Sequence, residues 1–421
     1  GTVVENFGEG SSVTISENRV TIDPTADLNP NGDYIISYPS GCFTNNEGSD
    51  YVGTAYEFQV KGFNFQLFTV GDNGQGRLGH NSTQNISSPV QVPGTAWKNI
   101  GKQNYTNNLY SAMIKSDGTL WAWGYNANGQ LGQNNRTEYS SPIQIGSGSD
   151  WATVGVGNAG GGGAIKTDGT LWTWGNNGKG QLGQNSTVTT SSPVQVPGTT
   201  WSKISGGSEG ETIATKTDGT AWTWGNNENG ELGQNNRTAY SSPTQLPGTT
   251  WSIPQSGRKY QMAIKTDGTL WSFGYGQSGV LGHNQSGPSA KLSSPTQIGS
   301  ATTWASISCA YSQSASAVKT DGTLWVWGDN NDGGLGLNNQ TDYATPQQMG
   351  SAPNWSSAVA GEKMGGAIKT TGECWVWGQN NKGQLGQNSR TYYSSPVQIP
   401  GTTWNDIHAM KEAIILQTKS S

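Results

Sequence analysis

The chain has 421 residues, of which 12% are charged and 32% hydrophobic, with a formal net charge of −5. Low charge combined with many aromatics excludes a disordered chain. The mildly acidic balance leaves no electrostatic footprint for nucleic acid. No apolar run approaches the roughly 18–20 residues of a membrane-spanning helix, so no membrane insertion is expected. The 62 glycines and 18 tryptophans point instead to short strands joined by tight turns, an all-β class.

The chain opens on Gly1-Thr2, which reads as a processing point or an internal point of a longer polypeptide. Residues 1–62 carry "VTI", "RVTI", "DYIISY" and "YEFQV", short strands between Gly, Asn and Pro turns. This segment resembles the second half of a bacterial immunoglobulin-like domain of large surface proteins, with Cys42 at its small-residue position. A partial β-sandwich is therefore expected over 1–62, with a boundary near Lys61-Gly62. Half a sandwich alone would leave strand edges open.

From residue 63 onward the sequence repeats. Leu-Gly recurs at Leu78, Leu131, Leu182, Leu232, Leu281, Leu335 and Leu385, with gaps of 49 to 54 residues. A Ser-Pro or Thr-Pro follows each, and then a lone tryptophan: Trp97, Trp151, Trp201, Trp251, Trp304, Trp355 and Trp404. The other tryptophans belong to "LWxWG" units such as Trp172 and Trp174. A tryptophan used once per repeat at a fixed place is a packing element. A period near fifty marks a stacked repeat architecture.

Within each repeat, "AIKTDGTLWTWG" (164–175) reads as two strands around an Asp-Gly turn, with both turn residues expected at positive φ. The "TLWTWG" strand is apolar on both faces, so both faces need covering. Radially stacked sheets do this, since each blade lies between two others. The "WGNNxxGQLGQN" segment then forms a loop in which Asn bonds the backbone. "FNFQLFTVG" (63–71) matches the "LWTWG" strand without its turn, and "AIILQTKSS" (413–421) matches "AIKT" but stops before one. Pairing of 65–70 with 414–418 would close a ring of seven four-stranded blades over 63–421.

These motifs resemble the regulator-of-chromosome-condensation repeat family, whose core reads "dG.lw.wG.N..GqLG". The resemblance implies a seven-bladed β-propeller. It also implies a range of binding roles, among them nucleotide exchange on a small GTPase through a protruding wedge and inhibition of a secreted enzyme. The extra residues near Gly287–Leu292 are too few for such a wedge.

Catalysis needs a positioned acid, base, nucleophile or metal. His80 and His283 occupy the Gln slot of "LGQN", and His408 sits near the closing strand without a catalytic motif around it. Cys42, Cys309 and Cys374 have no disulfide or zinc spacing and read as small buried hydrophobes. "DNNDGG" (329–334) lacks the Glu that a calcium loop places at its end. No enzyme activity, metal or cofactor is expected.

The stretch between the lone tryptophan and the "AIK" strand differs most between repeats. In a propeller these loops gather on one face around the axis. They would present Tyr105, Asn108, Tyr110, Glu209, Glu211, Arg258, Lys259, Tyr260, Tyr311, Glu362 and Lys363 as a binding surface. Tyr and Arg are enriched in binding hot spots. The reading is a non-catalytic propeller of a larger extracellular, cell-surface or virion-surface protein. Its role would be attachment to a protein or glycan receptor, or decoration of an assembly of neighbouring subunits. The alternatives are a regulatory exchange-type propeller and an enzyme inhibitor, both acting by protein–protein binding.

Overall fold

The computed structural model describes residues 65–98, 109–157 and 161–419. Upstream it describes four strands, Val13–Ser16, Arg19–Ile22, Asp33–Ser37 and Ala55–Gln59. The chain divides into Gly1–Phe63 and Asn64–Ser421. In the first unit the strands form two separate antiparallel pairs. The immunoglobulin-like sandwich expected over 1–62, and Cys42 with it, lies outside the described residues.

The second unit is an all-β propeller of seven sheets, each labelled below by its lone tryptophan. The Trp201 blade shows the pattern: Trp201–Gly206, Glu211–Lys216, Ala221–Gly225 and Tyr240–Gln245, antiparallel and in chain order. First strands of successive blades pack against one another, which puts them at the centre of the ring. Fourth strands, half-exposed along most of their length, form the rim.

One blade is assembled from both ends of the unit. Trp404–Ala409 and Ala413–Lys419 supply two strands, and Phe65–Gly71 and Ile86–Gln91 the other two. Val70 lies opposite Ile414 and Phe68 opposite Leu416, in one unbroken antiparallel register. The Trp97 blade has three named strands, Tyr110–Ile114, Leu120–Gly124 and Tyr139–Gln144. Trp97 bridges both Phe65 and Lys115, joining that blade to the shared one.

Five of the seven blades are bolted to the preceding one by the second tryptophan of "LWxWG". Trp224 is fully buried, and its indole N–H donates to the carbonyl of Gln181 in the preceding blade at 2.8 Å. Trp123, Trp174, Trp327 and Trp377 repeat this bond to Arg77, Gln130, Val280 and Gly334. A buried indole needs such a partner. Phe273 and Val70 fill the same slot without one. Inside every loop except that of the Trp251 blade, where Gly276 takes its place, a buried Asn holds the turn. Asn177 Oδ1 accepts from Leu182 N at 3.0 Å, and its amide donates to Ser186 O and Val188 O.

The Asp-Gly turns differ from expectation. Gly169 has φ of 78°, but Asp168 is absent from the residues at positive φ. Gly169 N donates to Lys166 O, and Lys166 N to Thr170 O. That is a four-residue turn, 166–169, ending on one left-handed glycine, a bulged hairpin. The physical reason is Asp168 itself. Its Oδ1 accepts from both the N–H and the hydroxyl of Thr170, at 2.9 and 2.7 Å, which fixes the aspartate at negative φ.

Candidate functional site

In the Trp201, Trp251, Trp304, Trp355 and shared blades the first two strands are joined by a short hairpin at one end of the ring. The "WGNNxxGQLG" loops reach the same end, because they leave the third strand beside the start of the second. Together they build one face. The Asp-Gly turns occupy the other.

On the loop face, charged tips link successive blades. Arg258 of the Trp251 blade donates to Glu209 of the Trp201 blade at 2.9 Å. The guanidinium lies 4.7 Å from the ring centroid of Tyr311 in the Trp304 blade. Lys411, from the shared blade, lies 5.5 Å from that same ring and pairs with Glu362 at 3.5 Å. Tyr311 is thus flanked by two cations from different blades. Lys363 pairs with Asp332 at 3.0 Å, an attraction that raises its pKa. The backbone continues the linkage: Ser208 N donates to Gly257 O, and Lys363 N to the hydroxyl of Ser312. These groups are anchored at tight tips, with Lys259 and Lys363 at φ of 64° and 58°.

Three residues expected on this surface lie beneath it. Tyr110, Glu211 and Tyr260 are buried, because each begins a second strand and turns its side chain into a blade seam. The hydroxyl of Tyr110 donates to Gly161 O at 2.7 Å, and that of Tyr260 to Ser314 O at 2.9 Å. Glu211 accepts from Glu209 N and Lys259 N at 3.1 and 2.8 Å. Burial, and then the nearby charge of Glu231, pushes its carboxyl up to about 8. Tyr105 and Asn108 lie outside the described residues. Glu209, Arg258, Lys259, Tyr311, Glu362 and Lys363 stand together on the loop face, part-exposed.

Lys411 and Asp332 complete the network; Lys411 stands in a variable stretch, and Asp332 in the "DNNDGG" segment weighed above only as a calcium loop. A further set was missed at the opposite end. The lysine of each "KTDG" sits between two tryptophans: Lys216 Nζ is 4.8 Å from the Trp201 ring and 4.7 Å from that of Trp222. Lys115, Lys166, Lys265, Lys319 and Lys369 repeat the arrangement. The signal was present, as these lysines keep step with the tryptophans. Their recurrence marks them as blade structure.

Among the described residues, no group of three His, Cys, Asp or Glu side chains could hold a metal. Burial lowers the imidazole of His408 to about 3, so it stays neutral. Cys309 and Cys374 are buried free thiols held above their usual range. The arrangement offers charged and aromatic groups for recognition.

The fold and its loop face define a repeat propeller whose variable tips converge at one end, and among the described residues no helix is long and apolar enough to cross a membrane. The chain belongs to the regulator of chromosome condensation (RCC1) repeat family, whose model matches residues 66–100, 117–159, 168–210, 218–253, 267–317, 321–368 and 371–410. It is similar to the human E3 ubiquitin-protein ligase HERC2, at 25% identity over 134 residues, 30% of this chain and 3% of that protein. The matched region is thus a small part of that relative's length. Among solved structures, human WBSCR16 superposes with a TM-score of 0.73 at 18% identity, covering 85% of this chain and 99% of that one. Prp20p from Saccharomyces cerevisiae, described with its binding to Gsp1p and histones, gives 0.72 at 17% identity, covering 85% and 92%. These likenesses establish the seven-bladed fold.

Proposed function

We propose that this propeller is a protein-binding module of the regulatory kind, acting without catalysis through its loop face. The observation that carries the reading is the Glu209–Arg258–Tyr311–Lys411–Glu362 chain, which holds part-exposed charged and aromatic groups across five blades of the ring. Such pre-ordered Arg and Tyr groups lose little freedom on binding. Support also comes from the similar proteins, since Prp20p is described as binding Gsp1p and histones. They favour this regulatory reading over the attachment or decoration role on a cell or virion surface. The partner class is protein; neither a glycan receptor nor an extracellular setting draws support from these relatives.

The test is affinity capture with the full chain, its Arg258→Glu variant and a control Gln195→Glu variant on an exposed rim strand, away from the loop face. Loss of a captured protein with Arg258→Glu, but not with the control, supports the reading. Equal capture by all three removes the loop network from the binding site.

A further inference from the structure

Arg258 stands at the tip between the first two strands of the Trp251 blade, and the repeat does not place it there. The matching tips carry Ser208-Glu209-Gly210, Tyr311-Ser312-Gln313, Glu362-Lys363 and Lys411-Glu412, so Arg258 is the sole arginine on the described tips. Blade packing does not call for it, unlike the lysines that recur between tryptophans.

The frame around it is fixed from both neighbouring blades. Ser208 N donates to Gly257 O at 3.1 Å, and Lys259 N to the buried Glu211 carboxyl at 2.8 Å. On the other side, Ala310 N donates to the hydroxyl of Tyr260 at 3.0 Å, and the hydroxyl of Ser312 to Gly361 O at 3.4 Å. These bonds hold the tips that carry Glu209 and Tyr311. The guanidinium is engaged by both: its Nε donates to Glu209 at 2.9 Å, and its Cζ lies 4.7 Å from the Tyr311 ring centroid.

The end of the guanidinium is open. The side chain is 39% exposed, and Nη1 and Nη2 make no hydrogen bond among the described residues. Two Nη groups form an end-on fork that matches the two oxygens of a carboxylate. Because Glu209 and Tyr311 already order the side chain, little rotamer freedom is left to lose on binding.

The charge around the fork agrees. On tips 207–211, 257–260 and 310–313 the charged side chains are Glu209, Glu211, Arg258 and Lys259. Glu211 is buried with its carboxyl raised to about 8, so near neutral pH it is mostly uncharged. Lys259 has no ion pair among the described residues. Two cations against one carboxylate leave these three tips net positive. Glu362, one blade further on, is paired with Lys411.

We propose that the Arg258 fork receives, end-on and bidentate, the carboxylate of an aspartate or glutamate in an acidic segment of a protein partner. The protein source rests on the protein-binding reading above; the carboxylate chemistry rests on the fork.

The test follows the fluorescence anisotropy of a capped, labelled tetraglutamate peptide titrated with the full chain at about 0.15 M ionic strength, with tetraserine as the uncharged probe. Wild type is expected to bind tetraglutamate saturably and tetraserine not at all. Arg258→Lys keeps the charge and loses the fork, so affinity should fall about tenfold at an unchanged melting temperature. Lys259→Gln removes a whole charge and should cost less, about twofold to threefold. Absence of saturable tetraglutamate binding by wild type overturns the proposal without any variant. So does an Arg258→Lys protein that binds as wild type does, or that loses less than Lys259→Gln. Should Arg258→Lys not melt cooperatively, the wild-type titrations decide alone. A phosphoserine peptide that binds where tetraglutamate does not also overturns it, because the carboxylate is then the wrong anion. Failure of the peptide, with partner capture still sensitive to Arg258→Glu, rejects the carboxylate and leaves the loop-face reading standing. Peptide binding through Arg258, with capture indifferent to Arg258→Glu, supports the fork and rejects the loop-face reading.

Discussion

Replacing Glu211 by Gln should change how the stability of the ring depends on pH. The carboxyl is fully buried, and its value rises from an ordinary 4.5 to about 8. A group whose native value is raised supports folding fully below its unfolded value. That support is lost as pH rises through the native value. Between 4.5 and 8, unfolding releases a proton, so this group alone lowers stability by about 1.4 kcal/mol per pH unit. From pH 5 to pH 7 the loss comes to about 2.5 kcal/mol. Glutamine has nothing to ionise and keeps the bond from Lys259 N. It forfeits the bond from Glu209 N, a pH-independent cost of about 1 kcal/mol. The assay is denaturant unfolding of both proteins at pH 5, 6 and 7. The variant should gain on wild type by about 2–3 kcal/mol across that range, because other groups cancel in the difference. A stability difference flat with pH would refute the burial argument for Glu211.

Trp224→Phe keeps a ring in the slot, as Phe273 does, but loses the bond to Gln181 O and some buried volume; the unfolding midpoint should fall by about 2 kcal/mol of stability. Lys216→Met retains the apolar stem between Trp201 and Trp222 and removes the charge, so chemical denaturation should show a loss of about 1 kcal/mol. Arg258→Glu should leave stability within about 1 kcal/mol, since its ion pair is part-exposed, yet abolish partner capture.

The ring was legible because its packing residues keep time with the chain. Lone tryptophans and Leu-Gly units at a constant spacing name one seam each, and the family match follows the same spacing. The face carrying the variable tips was legible as a set of loops, because their sequences diverge while the strands do not. Depth was not legible. Glu211 and Tyr260 stand one or two residues from part-exposed tips, and a strand's alternation decides whether a side chain enters the seam. Nor was the geometry of Asp168: dipeptide preference pointed to two positive φ values, and a side-chain bond to Thr170 overrode it. Inter-blade pairs such as Arg258 with Glu209 join residues a whole repeat apart, which no local pattern reveals.

Hydrogen exchange of the propeller with and without its captured partner tests the central claim most directly. Protection confined to 207–211, 257–260, 310–313, 361–364 and 410–413 is the predicted result. Protection centred on the Asp-Gly turns or the rim strands, with these tips unchanged, would contradict it.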